Sequence, residues 1–125
     1  MWQSPQIQKA GALASFFGIV RGETHQKEPV QCLSFEAYNE IVERSFARIT
    51  QEIKEKYGVL EVFIHHVTGG VNVGDLIMAV LVLGSSRKSV FPALQEAVER
   101  VKKEAPIWKK ETLQNGESRW IEYEA

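Results

Sequence analysis

The sequence has one cysteine, Cys32, and no long run of hydrophobic residues. A single cysteine cannot form an intramolecular disulfide, and the apolar neighbours in "VQCLSF" favour a reduced compartment and a small core side chain. The longest apolar run, residues 12–20, is less than half as long as a membrane span and follows no basic segment. We therefore predict a cytoplasmic protein with no membrane partner.

Neither sign of charge is in excess, and no residues have the spacing of a metal site. The chain has 15 Lys and Arg residues against 16 Asp and Glu residues, for a formal net charge of −1. No global field therefore attracts nucleic acid, and any anion site must be local. The sequence lacks HExxH and CxxC motifs, and His65 and His66 face opposite ways in a strand, so we expect no metal and no cofactor.

Six short segments have the composition of β-strands, because they are rich in apolar and β-branched residues and are bounded by glycine or polar residues. They lie at about 13–20, 30–36, 59–67, 76–83, 107–113 and 118–124. Residues 21–29 between the first two form an exposed loop. The last two segments flank Asn115-Gly116, a strong turn signal, which predicts a C-terminal hairpin.

Two segments have the periodicity of amphipathic helices. The first contains apolar residues at three- and four-residue steps from residue 38 and stops before Gly58, a good C-terminal residue for a helix. The second runs from about 89 to 103, with Phe91 facing inward and Pro92 tolerable only in the first turn. Pro106 ends it, because the residue before a proline avoids helical angles.

The order of these elements predicts an α+β fold in one domain, residues 1–125, since no repeat or linker interrupts the chain. It has a mostly antiparallel sheet, two main helices and the C-terminal hairpin. Residues 30–113 alone also fit a ferredoxin-like βαββαβ unit. Periodicity leaves both arrangements open.

Two places suit an anion. "GSSRKS", which includes Ser86 and Arg87, lies between a buried strand and a helix start, where backbone N–H groups and the helix dipole favour negative charge. Arg21 ends the first strand and opens a polar loop, a common position for ligand contacts. A capping loop and a surface arginine are the alternative interpretations.

The lysines around "APIW" differ in their expected surroundings. Lys103 follows Glu99 by four residues and belongs to the charged helix face, where an ion pair is expected. Lys102 lies at the edge of the buried stripe, so it either extends to solvent or has its ammonium group held in a cleft. Lys109 and Lys110 alternate across a strand, and only one of them can share a cleft with Lys102.

Several stretches together resemble the large, catalytic subunit of molybdopterin synthase, over nearly the whole chain. They are "GALASFFGIVRG", "LSFEAYNEI", "HHVTGGVNVGD", "LGSSRKSVFPALQEAVERVKKEAPIWKKE" and "SRWIEYE". The resemblance implies an α/β hammerhead-type fold and a homodimer with one small ubiquitin-like sulfur-carrier subunit at each end, a heterotetramer. The carrier donates sulfur from a C-terminal Gly-Gly thiocarboxylate to cyclic pyranopterin monophosphate, which forms the dithiolene of molybdopterin.

The resemblance also implies roles for individual residues. The family's two active-site lysines correspond to Lys102 and Lys109, and its anion-binding arginines correspond to Arg21 and Arg87. Ser86 stands where the family usually has a histidine, so we expect it to contact substrate without transferring a proton. The rival hypothesis is a ferredoxin-like homodimeric module that binds a small phosphorylated metabolite without catalysis.

Overall fold

The computed structural model describes residues 1–121, in which a short 3-10 helix precedes seven strands and two long helices. Residues 122–124 of the predicted final strand lie outside the described residues. Within residues 1–121, neither long helix combines the length and apolarity that a membrane crossing requires. The elements are the 3-10 helix (Pro5–Lys9), β1 (Ala12–Ile19), β2 (Val30–Ala37), α1 (Asn39–Tyr57), β3 (Glu61–His66), β4 (Gly69–Asn72), β5 (Leu76–Gly84), α2 (Arg87–Glu104), β6 (Ile107–Leu113) and β7 (Ser118–Ile121).

The strands form two antiparallel sheets, with the orders β1-β5-β3 and β4-β2-β6-β7. The predicted α+β class with mostly antiparallel pairing, two main helices and the β6–β7 hairpin is confirmed. The strands divide between two sheets, a number that the sequence pattern did not specify. A ferredoxin-like unit would place β2 beside β5, but β1 pairs with β5 and β4 pairs with β2, so the two halves of that unit separate into different sheets.

The helices cover one face of the first sheet and form the core there. Ile49 and Ile53 of α1 have no exposed surface, and neither do Val80 and Val82 of β5. On α2 the fully buried residues include alanines, which let the helix approach the sheet closely. Burial of this apolar surface is the main source of stability for the domain.

Helix α1 ends as predicted, because Gly58 adopts the left-handed conformation (φ 66°) and its N–H donates to the carbonyl of Lys54 at 2.9 Å. Helix α2 begins earlier than predicted, at Arg87, so Pro92 lies in the second turn and not in the first. Because proline has no backbone N–H, Pro92 cannot donate a hydrogen bond to the carbonyl of Lys88. Lys88 is exposed, so water can bind this carbonyl instead.

The buried stripe of α2 is displaced from the predicted one. Phe91, which was expected to face inward, is 61% exposed. The inward position predicted for Val101 is confirmed, and Leu94 and Val98, also predicted to face inward, are partly buried against the core. In the earlier turns the fully buried residues lie one position before the predicted ones, so the buried stripe follows three- and four-residue steps. The fully buried residues are Val90, Ala93, Ala97 and Val101.

The segment "TGGVNVGD", predicted as a connection, contains strand β4. Its last residues are fixed to the end of β1 by two backbone hydrogen bonds: Val20 N–H donates to the Asp75 carbonyl at 3.0 Å, and Gly74 N–H donates to the Val20 carbonyl at 2.9 Å. The Asp75 carboxylate accepts from the N–H of Asn72 at 2.9 Å. This connection therefore holds the point at which the chain leaves β1 for Arg21.

Cys32 is half-buried and does not lie in the core. In β2 the side chains of Leu33 and Phe35 are buried, and alternation places Cys32 on the other face of the strand. The apolar neighbours in the sequence predicted a strand but could not show which face the thiol occupies. The core prediction for Cys32 is therefore wrong.

His65 and His66 face opposite sides of β3: His65 is exposed and His66 is partly buried. Burial lowers the pKa of His66 below its ordinary value, and the hydrogen bond from its Nδ1 to the carbonyl of Val67 (2.7 Å) only partly offsets that effect. Within residues 1–121, no group of three or more His, Cys, Asp or Glu side chains could hold a metal ion.

The backbone of Ser85 leaves no space for a side chain at Gly11. The Gly11 N–H donates to the Gly84 carbonyl at 2.9 Å, and a Cβ at residue 11 would lie 2.2 Å from the carbonyl oxygen of Ser85. Because backbone must move, we expect Gly11→Ala to lower the free energy of unfolding by about 1–3 kcal/mol. Chemical denaturation measures this, with Gly70→Ala as the control, since nothing lies within 4 Å of a Cβ there. Equal losses in the two variants would contradict the steric explanation.

Candidate active site

A cavity of about 760 Å³ is lined by residues of both sheets. One wall consists of residues 16–19 of β1 and two residues of β5. The other wall consists of side chains from β2, β6 and β7. Loop 21–29 and Lys102 of α2 complete the lining.

Arg21 lies just after β1 and lines this cavity. Its Nη2 is 3.3 Å from Nδ1 of His25, and because arginine only donates, the imidazole nitrogen accepts. Loop 21–29 is mostly exposed, as predicted, but it is ordered by the buried Thr24. The Thr24 hydroxyl accepts hydrogen bonds from two backbone N–H groups of the loop, at 3.1 and 3.2 Å.

Lys102 is partly buried in the last turn of α2 and also lines the cavity. Its Nζ lies 5.7 Å from the ring centroid of Phe16, and the C-terminal end of a helix favours a cation. Lys102 is therefore one of the cations that line this cavity. The adjacent Lys103 is exposed, but the ion pair expected with Glu99 is not formed among the described residues.

The two lysines of β6 point to opposite faces. Lys109 lines the cavity and shares its face of the strand with the buried Ile107 and Glu111. Lys110 lies on the other face, where its Nζ is 5.9 Å from the ring centroid of Trp120. The structure therefore brings Lys109, and not Lys110, to the same cavity as Lys102. Their part in catalysis stays a prediction.

Arg119 joins two carboxylates in the cavity wall. Its Nε and Nη2 lie 3.1 and 3.0 Å from Oε1 of Glu111, and Nη2 lies 3.0 Å from Oε1 of Glu28. Hydrogen bonds to Glu28, and then to Glu111, raise the pKa of Arg119 above its ordinary value. Glu111 is only 6% exposed, so this guanidinium supplies the partner that a buried carboxylate needs.

Ser86 and Arg87 lie at the other end of α2 and do not line the cavity. Ser86 is the N-cap residue, but its side chain makes no capping hydrogen bond within the described chain, and Arg87 is exposed. Fifteen helical steps separate Arg87 from Lys102, which is about 22 Å along the axis. One chain thus brings together Arg21, Lys102 and Lys109 and leaves the other two candidates apart.

Comparison with known sequences decides the family. The family described as "MoaE protein" matches residues 2–104. The chain belongs to the MoaE family. It is 37% identical over 114 residues to the molybdopterin synthase catalytic subunit of Bacillus subtilis. This alignment covers 91% of this chain and 71% of that protein. It is 38% identical over 113 residues to a probable molybdopterin synthase of Haloferax volcanii, covering 90% of this chain but 43% of that protein's length.

Solved MoaE-type structures have the same fold. Molybdopterin synthase from Staphylococcus aureus matches with a TM-score of 0.85 and 34% identity, covering 91% of this chain and 82% of that one. A complex of subunits 1 and 2 of the molybdopterin-converting factor from Helicobacter pylori matches with a TM-score of 0.74 and 28% identity, covering 93% and 73%. The predicted family is confirmed. The function predicted for this chain, that of a molybdopterin synthase catalytic subunit, is confirmed as well.

Glu111 and Arg119 are parts of the cavity wall that the sequence analysis missed. Two signals for them exist in the sequence. Glu111 follows Lys109 by two residues and so shares its face of the strand, and a hairpin turning at residues 115–116 places Arg119 opposite Glu111. No comparable pattern predicts the buried position of Thr24, which depends on how the loop folds back on itself.

Proposed function

We propose that this MoaE-family chain transfers sulfur from the C-terminal thiocarboxylate of a small ubiquitin-like carrier to cyclic pyranopterin monophosphate, forming the dithiolene of molybdopterin. The observation that supports this most directly is the single cavity that Arg21, Lys102 and Lys109 share. Its cations suit both a phosphate and a partner that ends in an anion. Cys32 is not among its lining residues, which fits a sulfur supplied by the partner.

Each cation has a proposed part in the reaction. Arg21 binds the phosphate through charge-assisted hydrogen bonds. Lys102 and Lys109 stabilise negative charge that develops as the thiocarboxylate sulfur attacks the pterin side chain, and they transfer protons. The attack forms a thioester between the carrier and the pterin side chain, whose oxygen substituent at that carbon leaves as water. Hydrolysis of the thioester by water then breaks the carrier's C–S bond, which leaves sulfur on the pterin and an ordinary carboxylate on the carrier. Two such transfers are needed for one dithiolene.

The proposed partner is a small carrier subunit with a Gly-Gly tail. The Helicobacter pylori neighbour is a complex of two subunits of one converting factor, which supports a second subunit for this chain as well. A net charge of −1 gives no reason to expect nucleic acid or membrane partners, and we place the reaction in the cytoplasm.

We also propose that Arg87 and Ser86 act in the site of a second copy of the chain, within a homodimer that forms the centre of a heterotetramer. The distance along α2 keeps them from the cavity of their own chain. Both are available for a ligand: the Ser86 side chain is not used in capping, and Arg87 is exposed at the N-terminus of the helix, where anions are favoured.

Mixing two inactive variants tests this arrangement. If Lys102 and Arg87 of each site come from different chains, a mixed dimer of Lys102→Ala and Arg87→Ala has one intact site and one doubly altered site. After random exchange of chains, we expect about a quarter of wild-type activity from a mixture of two nearly inactive proteins. Product formation with thiocarboxylated carrier is the measurement.

Mixing Lys102→Ala with Lys109→Ala is the matched control, because both lysines line the cavity of the same chain. No regain is expected there. Equal regain in the two mixtures, or none in either, would contradict a site shared between chains. A wild-type protein that binds the pterin but forms no product with thiocarboxylated carrier would instead favour the binding module without catalysis.

A further inference from the structure

Four charged side chains join the last turns of α2 to the middle of α1. They are Arg48 and Glu52 of α1 and Arg100 and Glu104 of α2, and we call them the interhelix cluster. Arg100 Nε donates to Oε2 of Glu104 at 2.5 Å, and its Nη2 donates to Oε1 at 3.0 Å. Nη2 also lies 2.5 Å from Oε1 of Glu52, and Nη2 of Arg48 lies 3.1 Å from Oε1 of Glu104. Glu104 is therefore bound by one arginine from each helix.

The interhelix cluster differs from an isolated surface ion pair. The Arg100 side chain is only 19% exposed, and it contacts both oxygens of the Glu104 carboxylate. The hydrogen bond from Arg100 lowers the pKa of Glu104 below its ordinary value, and the loss of hydration offsets this only partly. Two-point contacts and networks of this kind fix the geometry of the groups that they join, whereas single exposed pairs contribute little.

Glu104 lies between the two lysines of the cavity along the chain. It is the last residue of α2, after which the chain turns into β6, the strand that carries Lys109. Lys102 precedes Glu104 by two residues, which is about 200° around the helix axis. The last turn of α2 is thus held by α1 on one side, while Lys102 extends from the other side toward Phe16 of β1.

Apolar packing alone constrains this turn less than the rest of the helix. The last four carbonyl groups of a helix have no partner within it, and helix ends open at a lower free energy than helix centres. Val101, the last fully buried residue of α2, precedes Lys102 by one position. Because apolar contacts are not directional, the packing of Val101 permits small rotations of the turn, which the hydrogen bonds of the interhelix cluster restrict.

We propose that Arg100 and Glu104 are positioning residues, which hold the last turn of α2 in the orientation that brings the Lys102 ammonium group to the cavity. The role of Lys102 in the reaction rests on the proposed function. The positioning itself rests on the contacts of Glu104 with both helices and on its place in the same turn as Lys102. Neither Arg100 nor Glu104 is among the residues 1–121 that line the cavity, so both act on the reaction through Lys102.

A second charged contact between the same helices provides a matched control. Glu96 of α2 accepts hydrogen bonds from Lys56 Nζ at 2.6 Å and from the Tyr57 hydroxyl at 2.8 Å. Like Glu104 it accepts from two side chains and joins α2 to α1, but it lies six residues before Lys102, about 9 Å along the axis. Loss of either carboxylate weakens the contact between the helices, and only the loss of Glu104 releases the turn that carries Lys102.

Glu104→Gln is expected to lower the single-turnover rate with thiocarboxylated carrier about ten-fold, because a small displacement of a reacting group has a large effect on rate. The Kd for the pterin, measured by calorimetry, should be unchanged. Glu96→Gln should change neither quantity, although the thermal midpoints of both variants should fall by a similar amount, about 2–5 °C. A Glu104→Gln protein as active as the Glu96→Gln protein would overturn the positioning role and leave the proposed function intact.

A double variant tests whether Glu104 acts through Lys102. In the Lys102→Ala protein, the further change Glu104→Gln should alter the residual rate little, because the group that Glu104 holds in place is already absent. A further ten-fold loss, of about the same size as in the wild-type background, would show that Glu104 acts by another route and would overturn the inference.

Amine labelling gives a readout that does not depend on the reaction. Acetylation of Lys102 by acetic anhydride, measured by mass spectrometry relative to the exposed Lys103, should be about three-fold faster in Glu104→Gln than in the wild type. The ratio should not change in Glu96→Gln, and an unchanged ratio in Glu104→Gln would reject the positioning role. If the wild-type protein forms no product with thiocarboxylated carrier, the proposed function fails, and the labelling ratio still decides whether the interhelix cluster holds Lys102.

Discussion

Lys102→Ala is expected to lower the rate of product formation by at least about 100-fold, the effect of losing a group that transfers a proton or stabilises charge in the transition state. Lys102 is the cation that α2 supplies to the cavity, and its Nζ lies near the wall formed by β1. Single-turnover assays with pre-formed thiocarboxylated carrier measure the effect, and circular dichroism checks that the variant is folded.

The neighbouring lysines provide the controls for this experiment. Lys103→Ala removes the same charge from an exposed position one residue away, and Lys110→Ala removes it from the other face of β6. Both should change the rate little, whereas Lys109→Ala should reduce it severely because Lys109 lines the cavity. Equal losses for all four variants would indicate a diffuse basic surface, and a fully active Lys102→Ala protein would reject the proposed site.

Without thiocarboxylated carrier, the wild-type protein is expected to form no detectable product, even when sulfide is present. The physical reason is that the chain's one cysteine, Cys32, is absent from the cavity lining, so none of its own sulfur nucleophiles reaches the substrate. The measurement is pterin conversion by the purified subunit with and without the carrier. Two carriers should be consumed for each product.

Cys32→Ala is the accompanying variant, and its turnover with carrier should equal that of the wild type. Dithiolene formed by the subunit and sulfide alone would show that the chain does not depend on a partner for sulfur. A Cys32→Ala protein that folds normally but loses turnover would indicate that the thiol takes part in transfer after all.

Local patterns predicted most elements of the fold, because the signals for them lie within a few neighbouring residues. The end of α1 at Gly58 and the β6–β7 hairpin are examples. The division into two sheets was not predictable in this way, since it depends on which distant strands pair. The inward position predicted for Phe91 failed because a helical stripe can shift by one residue while keeping its period.

The candidate site shows the same limit. Alternation in a strand indicated that only one of Lys109 and Lys110 could lie near Lys102, and the resemblance to the family selected Lys109. The length of the predicted helix already implies that Arg87 lies about 22 Å from Lys102 along its axis. Both were nevertheless predicted as site residues, because the "GSSRKS" loop and the helix end are both reasonable anion sites when considered separately.

The bridge from Arg119 to Glu28 joins loop 21–29 to the β6–β7 hairpin by an ion pair, so we expect this part of the cavity wall to respond to ionic strength. The side chains of Arg119 and Glu28 are 44% and 39% exposed, so added salt screens their attraction, whereas the pair with the buried Glu111 is screened much less. The apolar packing of α1 and α2 on the first sheet is not weakened in the same way. High salt should therefore loosen loop 21–29 from the β6–β7 hairpin while the rest of the domain stays folded.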